Sequence, residues 1–76
     1  MIEKIIEIIA SRIGVPQDVI GADANILEYD IDSLDIINIV MDVEFTFNVK
    51  IEDEEIVELR TPTDIEKAVL SKFSKS

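Results

Sequence analysis

The most constraining feature of this chain is the helical spacing of its isoleucines. Ile2, Ile5, Ile6, Ile9 and Ile13 fall on one side of a helix, with Glu3, Lys4, Glu7, Ser11 and Arg12 on the other. Ile8 lies off that stripe, and Gly14 and Pro16 end the period. The pattern predicts an amphipathic first helix with its apolar face toward a core.

From Gly14 to about Asp32 no period is sustained. Val15, Val19, Ile20, Ile26 and Leu27 are scattered among turn formers such as Asp18, Gly21, Asp23 and Asn25. Long connections in compact domains are usually functional or packed down by their own side chains, so a loop laid against the helices is expected.

At Asp32 the pattern changes. Asp32 or Ser33 can cap a helix, and Asp35 suits its first turn both as a reciprocal cap and for the dipole. Between Leu34 and Phe47, nine of fourteen residues are apolar, more than one stripe requires, so this second helix is central or exposes a docking face. Phe45, Phe47, Val49 and Ile51 alternate with polar residues as an edge strand would. No other segment offers a partner strand, and an isolated hairpin is marginal, so the helix is placed to end near Phe47 with a loop after it.

Asp53, Glu54 and Glu55 favour the start of a short helix carrying Ile56, Val57 and Leu59 inward. Thr61-Pro62-Thr63-Asp64 then supplies a cap, a first-turn proline and an acid. Ile65, Ala68, Val69, Lys72 and Phe73 continue at helical spacing, with Lys67, Lys72 and Lys75 toward the favourable C-terminal end. The expected fold is all-α: a small four-helix bundle of three main helices and one short one, with a long first loop, forming a single domain over residues 1–76.

Composition now limits the chemistry. A chain of 76 residues buries only roughly 60% of its unfolded surface, leaving no room for a deep catalytic cleft. Its 47% apolar content is nevertheless too high for a disordered acidic chain. Cysteine and histidine are both absent, which removes disulfides, thiolate nucleophiles and the commonest general base and metal ligands. No secretory leader pattern is present, and no apolar stretch approaches the roughly 20 residues of a membrane helix, so a cytoplasmic monomer is the expectation. Seven basic against seventeen acidic residues give a net charge of −10. That field repels nucleic acid and attracts basic protein surfaces, although it also serves solubility alone.

The segment Asp30-Ile31-Asp32-Ser33-Leu34-Asp35 places a serine at the mouth of a helix among carboxylates. A calcium loop begun at Asp30 needs an oxygen ligand at Leu34, a turn glycine at Asp35 and a bidentate acid at Met41, and all three fail, so no metal site is assigned. A hydrolytic serine lacks an activating histidine, and no Lys or Arg occurs between Arg12 and Lys50. No glycine-rich elbow surrounds it either. An ordinary helix cap accounts for the string by itself, because so short a motif recurs by chance.

In context, however, the sequence from about Ile2 to Phe73 resembles the acyl carrier proteins of bacterial fatty acid synthesis. Asp32-Ser33-Leu34-Asp35 matches their attachment motif, and Val40-Met41, Glu44 and Phe47 fall at matching positions on the following helix. Val49, Ile51, Asp53 and Glu54 resemble the next loop and short third helix, and Thr61, Asp64 and Ile65 the start of the last helix. The resemblance implies a carrier rather than an enzyme. Ser33 would accept 4′-phosphopantetheine from coenzyme A through a phosphopantetheinyl transferase using Mg²⁺, with Asp32 and Leu34 beside the attachment point. Acyl intermediates of fatty acid, lipid or polyketide synthesis would ride on the arm as thioesters.

The pocket for such a cargo is expected among Leu34, Ile37, Val40, Val43, Ile51, Ile56 and Leu59, which equally form a plain core. Docking is expected at Asp30, Asp35, Asn38, Met41, Asp42 and Phe45, against a synthetase, acyltransferase or ketosynthase with a basic patch. The chain departs from the family pattern in Asp30, where a glycine is usual, and in Asn38, Phe45 and Thr46, where glutamates are usual. The less acidic, more apolar face points to a specialised carrier. Two other readings stay open: an unmodified acidic interaction module in which Ser33 only caps a helix, and a peptidyl or aminoacyl carrier.

Overall fold

The computed structural model describes residues 1–73. Four α-helices follow in order: α1 (Ile2–Ile13), α2 (Ser33–Phe47), α3 (Asp53–Ile56) and α4 (Pro62–Phe73). There is no strand among the described residues. The architecture is the small all-α bundle that the spacing predicts.

Local chemistry sets the helix ends. Gly14 closes α1 in the left-handed region at φ 88°, and the N–H groups of Gly14 and Val15 both reach Ala10 O, at 2.8 and 3.1 Å. Asn48 closes α2 in the same way at φ 56°, a conformation asparagine tolerates better than most residues. The alternating run from Phe45 to Ile51 is thus helix to Phe47 and turn beyond. The Glu44 carboxylate accepts the Ile51 N–H at 2.8 Å and ties that turn back to α2. At α4 the Thr61 hydroxyl accepts the Asp64 N–H at 3.0 Å while Asp64 accepts the Thr61 N–H at 3.2 Å, the reciprocal cap expected there.

The core is built from Ile5, Ile9 and Ala10 of α1, Ile39, Val40 and Val43 of α2, and Ile65 and Val69 of α4. Ile20, Ile26, Ile51 and Leu59 complete it from the connections. A fully buried aliphatic side chain contributes roughly 1.5–3 kcal/mol, so Ile20 and Ile26 anchor the first loop strongly. That loop contains two single 3₁₀ turns, Gln17–Val19 and Ile26–Glu28, and is also sewn to the start of α4. Thr63 donates to Ala22 O from both its N–H (3.0 Å) and its hydroxyl (2.9 Å), and the Ile26 N–H donates to Arg60 O at 2.8 Å. Val19 and Leu27 face outward.

Two inward placements are corrected. Val57 is 68% exposed, because α3 is a single turn and Val57 is the residue that closes it, leaving Ile56 and Leu59 to face the interior. Phe73, on the expected stripe of α4, is exposed as well, while Ile65 and Val69 are buried and Ala68 and Lys72 are half-buried. Lys75 lies outside the described residues.

Candidate functional site

The start of α2 is organised by two carboxylates. Asp32, in extended backbone, is the N-cap, and its Oδ1 accepts the Asp35 N–H at 3.0 Å. The Asp35 Oδ2 accepts the Asp32 N–H at 3.3 Å in return. This capping box occupies Asp32 and Asp35 structurally and leaves the next residue out of the work. Ser33 is the first residue of the helix, it is exposed, and its hydroxyl has no partner among the described residues. The first-turn N–H groups of Ser33 and Leu34 have no intrahelical acceptor, and the positive end of the helix dipole lies with them.

Ser33 lines the mouth of a cleft of about 250 Å³ between α2 and α3. The other walls are Leu27, Ile36, Ile37, Ile56, Val57, Leu59 and Arg60, so the surface is almost wholly apolar. Of the pocket residues expected from sequence, Ile37, Ile56 and Leu59 meet here. Val40, Val43 and Ile51 are buried in the core rather than in the cleft wall, and Leu34 is 62% exposed and outside it. Sequence reasoning missed Leu27, Ile36, Val57 and Arg60. Leu27 and Val57 carried a signal, being apolar residues in segments too short or too irregular to bury them.

The expected docking residues divide along α2. Met41 and Phe45 are 57% and 90% exposed and share one stripe with Leu34 and Ile37, running from beside Ser33 toward the far end of the helix. Asp30 is exposed in the preceding bend, Asn38 is half-buried, and Asp35 is half-buried within the capping box. Asp42 is paired with Arg12 Nη2 at 3.3 Å. With Phe45 and Thr46 it borders a shallow groove against Lys4, Glu7, Ile8 and Ser11 of α1. Among the described residues, no cluster of three or more His, Cys, Asp or Glu is arranged to hold a metal ion, and no helix is long and apolar enough to cross a membrane.

An exposed, unpartnered hydroxyl at a helix N-terminus beside an apolar cleft suits attachment of a phosphate-linked group that lays an apolar portion against the protein. Comparison with known proteins agrees with this chemistry. Residues 3–69 match the family described as phosphopantetheine attachment site. An acyl carrier protein of Syntrophobacter fumaroxidans is 41% identical over 63 residues, covering 82% of this chain and 78% of that protein. Acyl carrier proteins of Akkermansia muciniphila and Petrotoga mobilis are 38% and 37% identical, covering 83% and 91% of this chain and 80% and 79% of those proteins.

Proposed function

Because the chain belongs to the acyl carrier protein family, carriers rather than enzymes, whose domain is the site of covalent 4′-phosphopantetheine attachment, we propose that Ser33 is the residue that accepts the arm. The observation that carries this reading is the division of labour at α2. Asp32 caps the helix, so the Ser33 hydroxyl is not needed as a cap and is left exposed at the cleft mouth. A serine serving only as a cap would itself accept a first-turn N–H.

The Ser33 oxygen attacks the coenzyme A phosphorus that bears pantetheine. The new O–P bond forms as the pyrophosphate bond breaks, and 3′,5′-ADP leaves. The cleft at Ser33 is lined by no histidine or lysine, and its one basic side chain, Arg60, stays protonated, so the base that takes the serine proton and the Mg²⁺ that neutralises the leaving group would be supplied on the transferase. The free N–H groups and dipole at the start of α2 favour the phosphodiester charge that results. When bound, the arm supplies a terminal thiol that carries an acyl group as a thioester.

Ile36, Ile37, Ile56 and Leu59 give that acyl chain an apolar wall. The cleft volume of about 250 Å³ lies below the roughly 300–1,000 Å³ of drug-sized ligand sites, so a short chain fits as the protein stands. A longer one requires α2 and α3 to part and exposes Val40, Val43 and Ile51 to it. Partner enzymes are the transferase and then a dedicated synthetase, acyltransferase or ketosynthase. Their surface carries basic groups for Asp30 and Asp42 around an apolar centre for Leu34, Met41 and Phe45. The role is that of a specialised cytoplasmic carrier, with residues 1–76 as a single carrier domain acting as a monomer.

The test is intact mass after incubation with coenzyme A, Mg²⁺ and a broad-specificity phosphopantetheinyl transferase. The wild type is expected to gain one phosphopantetheine and Ser33→Ala none. Failure of the wild type beside a carrier converted under the same conditions overturns the reading and leaves an unmodified interaction module.

A further inference from the structure

The wall of the apolar cleft holds a single charged residue, Arg60. Its backbone is fixed on both sides: the N–H donates to Asp64 Oδ2 at 3.0 Å, and the carbonyl accepts the Ile26 N–H at 2.8 Å. From that root the side chain turns back toward α3, where Nη1 donates to Val57 O at 2.8 Å and Leu59 O at 3.2 Å. Those two bonds use both hydrogens of Nη1. Nε and Nη2 donate to nothing among the described residues, and they form the edge of the guanidinium that presents parallel N–H groups to a planar or tetrahedral oxyanion.

None of the ion pairs among the described residues includes Arg60, although the chain has seventeen acidic residues for seven basic ones. Closing the end of α3 explains Nη1 and nothing more. Exposed at the rim of an apolar wall, with one nitrogen held and no carboxylate within ion-pair distance among the described residues, the guanidinium is open to an anion that comes from elsewhere. Ser33 lies in the same wall, and the group it is to carry begins with a phosphate.

We propose that Arg60 is the anion-binding residue of the cleft, taking through Nε and Nη2 the phosphate of the group tethered at Ser33 or the carboxylate of an acidic cargo. The inference rests on Ser33 as the attachment site. Anchored there, the arm lies along the groove between α2 and α3, and its cargo meets Ile36, Ile37 and Ile56 instead of solvent.

The experiment follows the Arg60 Nε–Hε resonance of the ¹⁵N-labelled full chain in four forms: unmodified, and after transfer from coenzyme A, butyryl-coenzyme A and succinyl-coenzyme A. A shift common to all three modified forms identifies the phosphate as the anion, and a shift confined to the succinyl form identifies a cargo carboxylate. Either supports the proposal, provided the shift shrinks in about 1 M salt, where the screening length falls to roughly 3 Å. The ³¹P resonance of the modified protein supplies a second readout. Arg60→Gln is expected to displace it if phosphate is the anion, with Arg60→Lys intermediate because a lysine keeps the charge and loses the fork. Complete conversion by mass with an unmoved Arg60 resonance in every form, or a shift indifferent to salt, overturns the proposal and leaves Ser33 attachment standing. Should Arg60→Gln unfold, the wild-type forms still decide. No conversion at all defeats the attachment reading, and this inference with it.

Discussion

Two clefts of nearly equal size, about 260 and 250 Å³, share Leu59 as a wall and differ in everything chemical. The first, between α3 and α4, is bordered by Glu55, Glu58, Asp64, Lys67 and Ala68. Its polar groups are already engaged in places: Glu55 takes Lys72 Nζ at 2.6 Å, and Asp64 caps α4. The second, between α2 and α3, is apolar except for Ser33 and Arg60, whose hydroxyl and Nε/Nη2 groups are unengaged. Volume therefore does not mark the functional cleft. What marks it is an apolar wall whose few polar groups lack partners within the chain, because those are the groups that a ligand can satisfy at a net gain.

The largest effect is expected where the two clefts join. Leu59 is buried at 5% exposure and supports both walls, so Leu59→Ala should cost about 2–5 kcal/mol and lower the midpoint of denaturant unfolding accordingly. If the loss is much smaller, the clefts collapse together on truncation and are not separately held. A middle-sized effect is expected on the apolar side alone. Ile37→Asn removes about 1 kcal/mol of apolar contact, close to one methylene's worth, from any sheltered chain. Hydrolysis of a butyryl thioester on the modified protein should accelerate up to about fivefold with little change in unfolding, since Ile37 is 45% exposed. An unchanged rate would show that the acyl chain does not use this wall.

The bundle was legible in the sequence because its signals are local. The stripe of α1, the Asp32–Asp35 reciprocal cap and the Thr61-Pro62 start all act within one or two turns, and Ser33 stands out through its place at the mouth of a helix among carboxylates, although sequence leaves open whether it or Asp32 is the cap. The cleft was less legible because it is assembled from distant segments. The contacts that carry Leu27 to it, Ile26 to Arg60 and Thr63 to Ala22, link residues more than thirty positions apart, and no periodicity reports them. Spacing cannot tell that Val57 faces outward, because a single-turn helix is too short for it to distinguish the faces. Expecting Val40, Val43 and Ile51 in the pocket followed from hydrophobicity, which does not separate a core from a cleft wall. Arg60 gave no signal, since nothing in Leu59-Arg60-Thr61 says that a guanidinium folds back over the end of α3.

The smallest effect belongs to the polar cleft and completes the contrast. Glu58 is exposed there and takes part in no ion pair among the described residues. Glu58→Gln removes one charge while keeping the shape, and surface changes of this kind stay within about 0.5 kcal/mol. Unfolding, conversion by the transferase and thioester hydrolysis should all match the wild type. A hydrolysis rate that changed with Glu58 would mean that the cargo lies between α3 and α4, on the other side of Leu59, and that unpartnered polar groups are the wrong guide to the cleft. A rate sensitive to Ile37 and indifferent to Glu58 separates the two clefts by what they do, with their volumes nearly equal throughout.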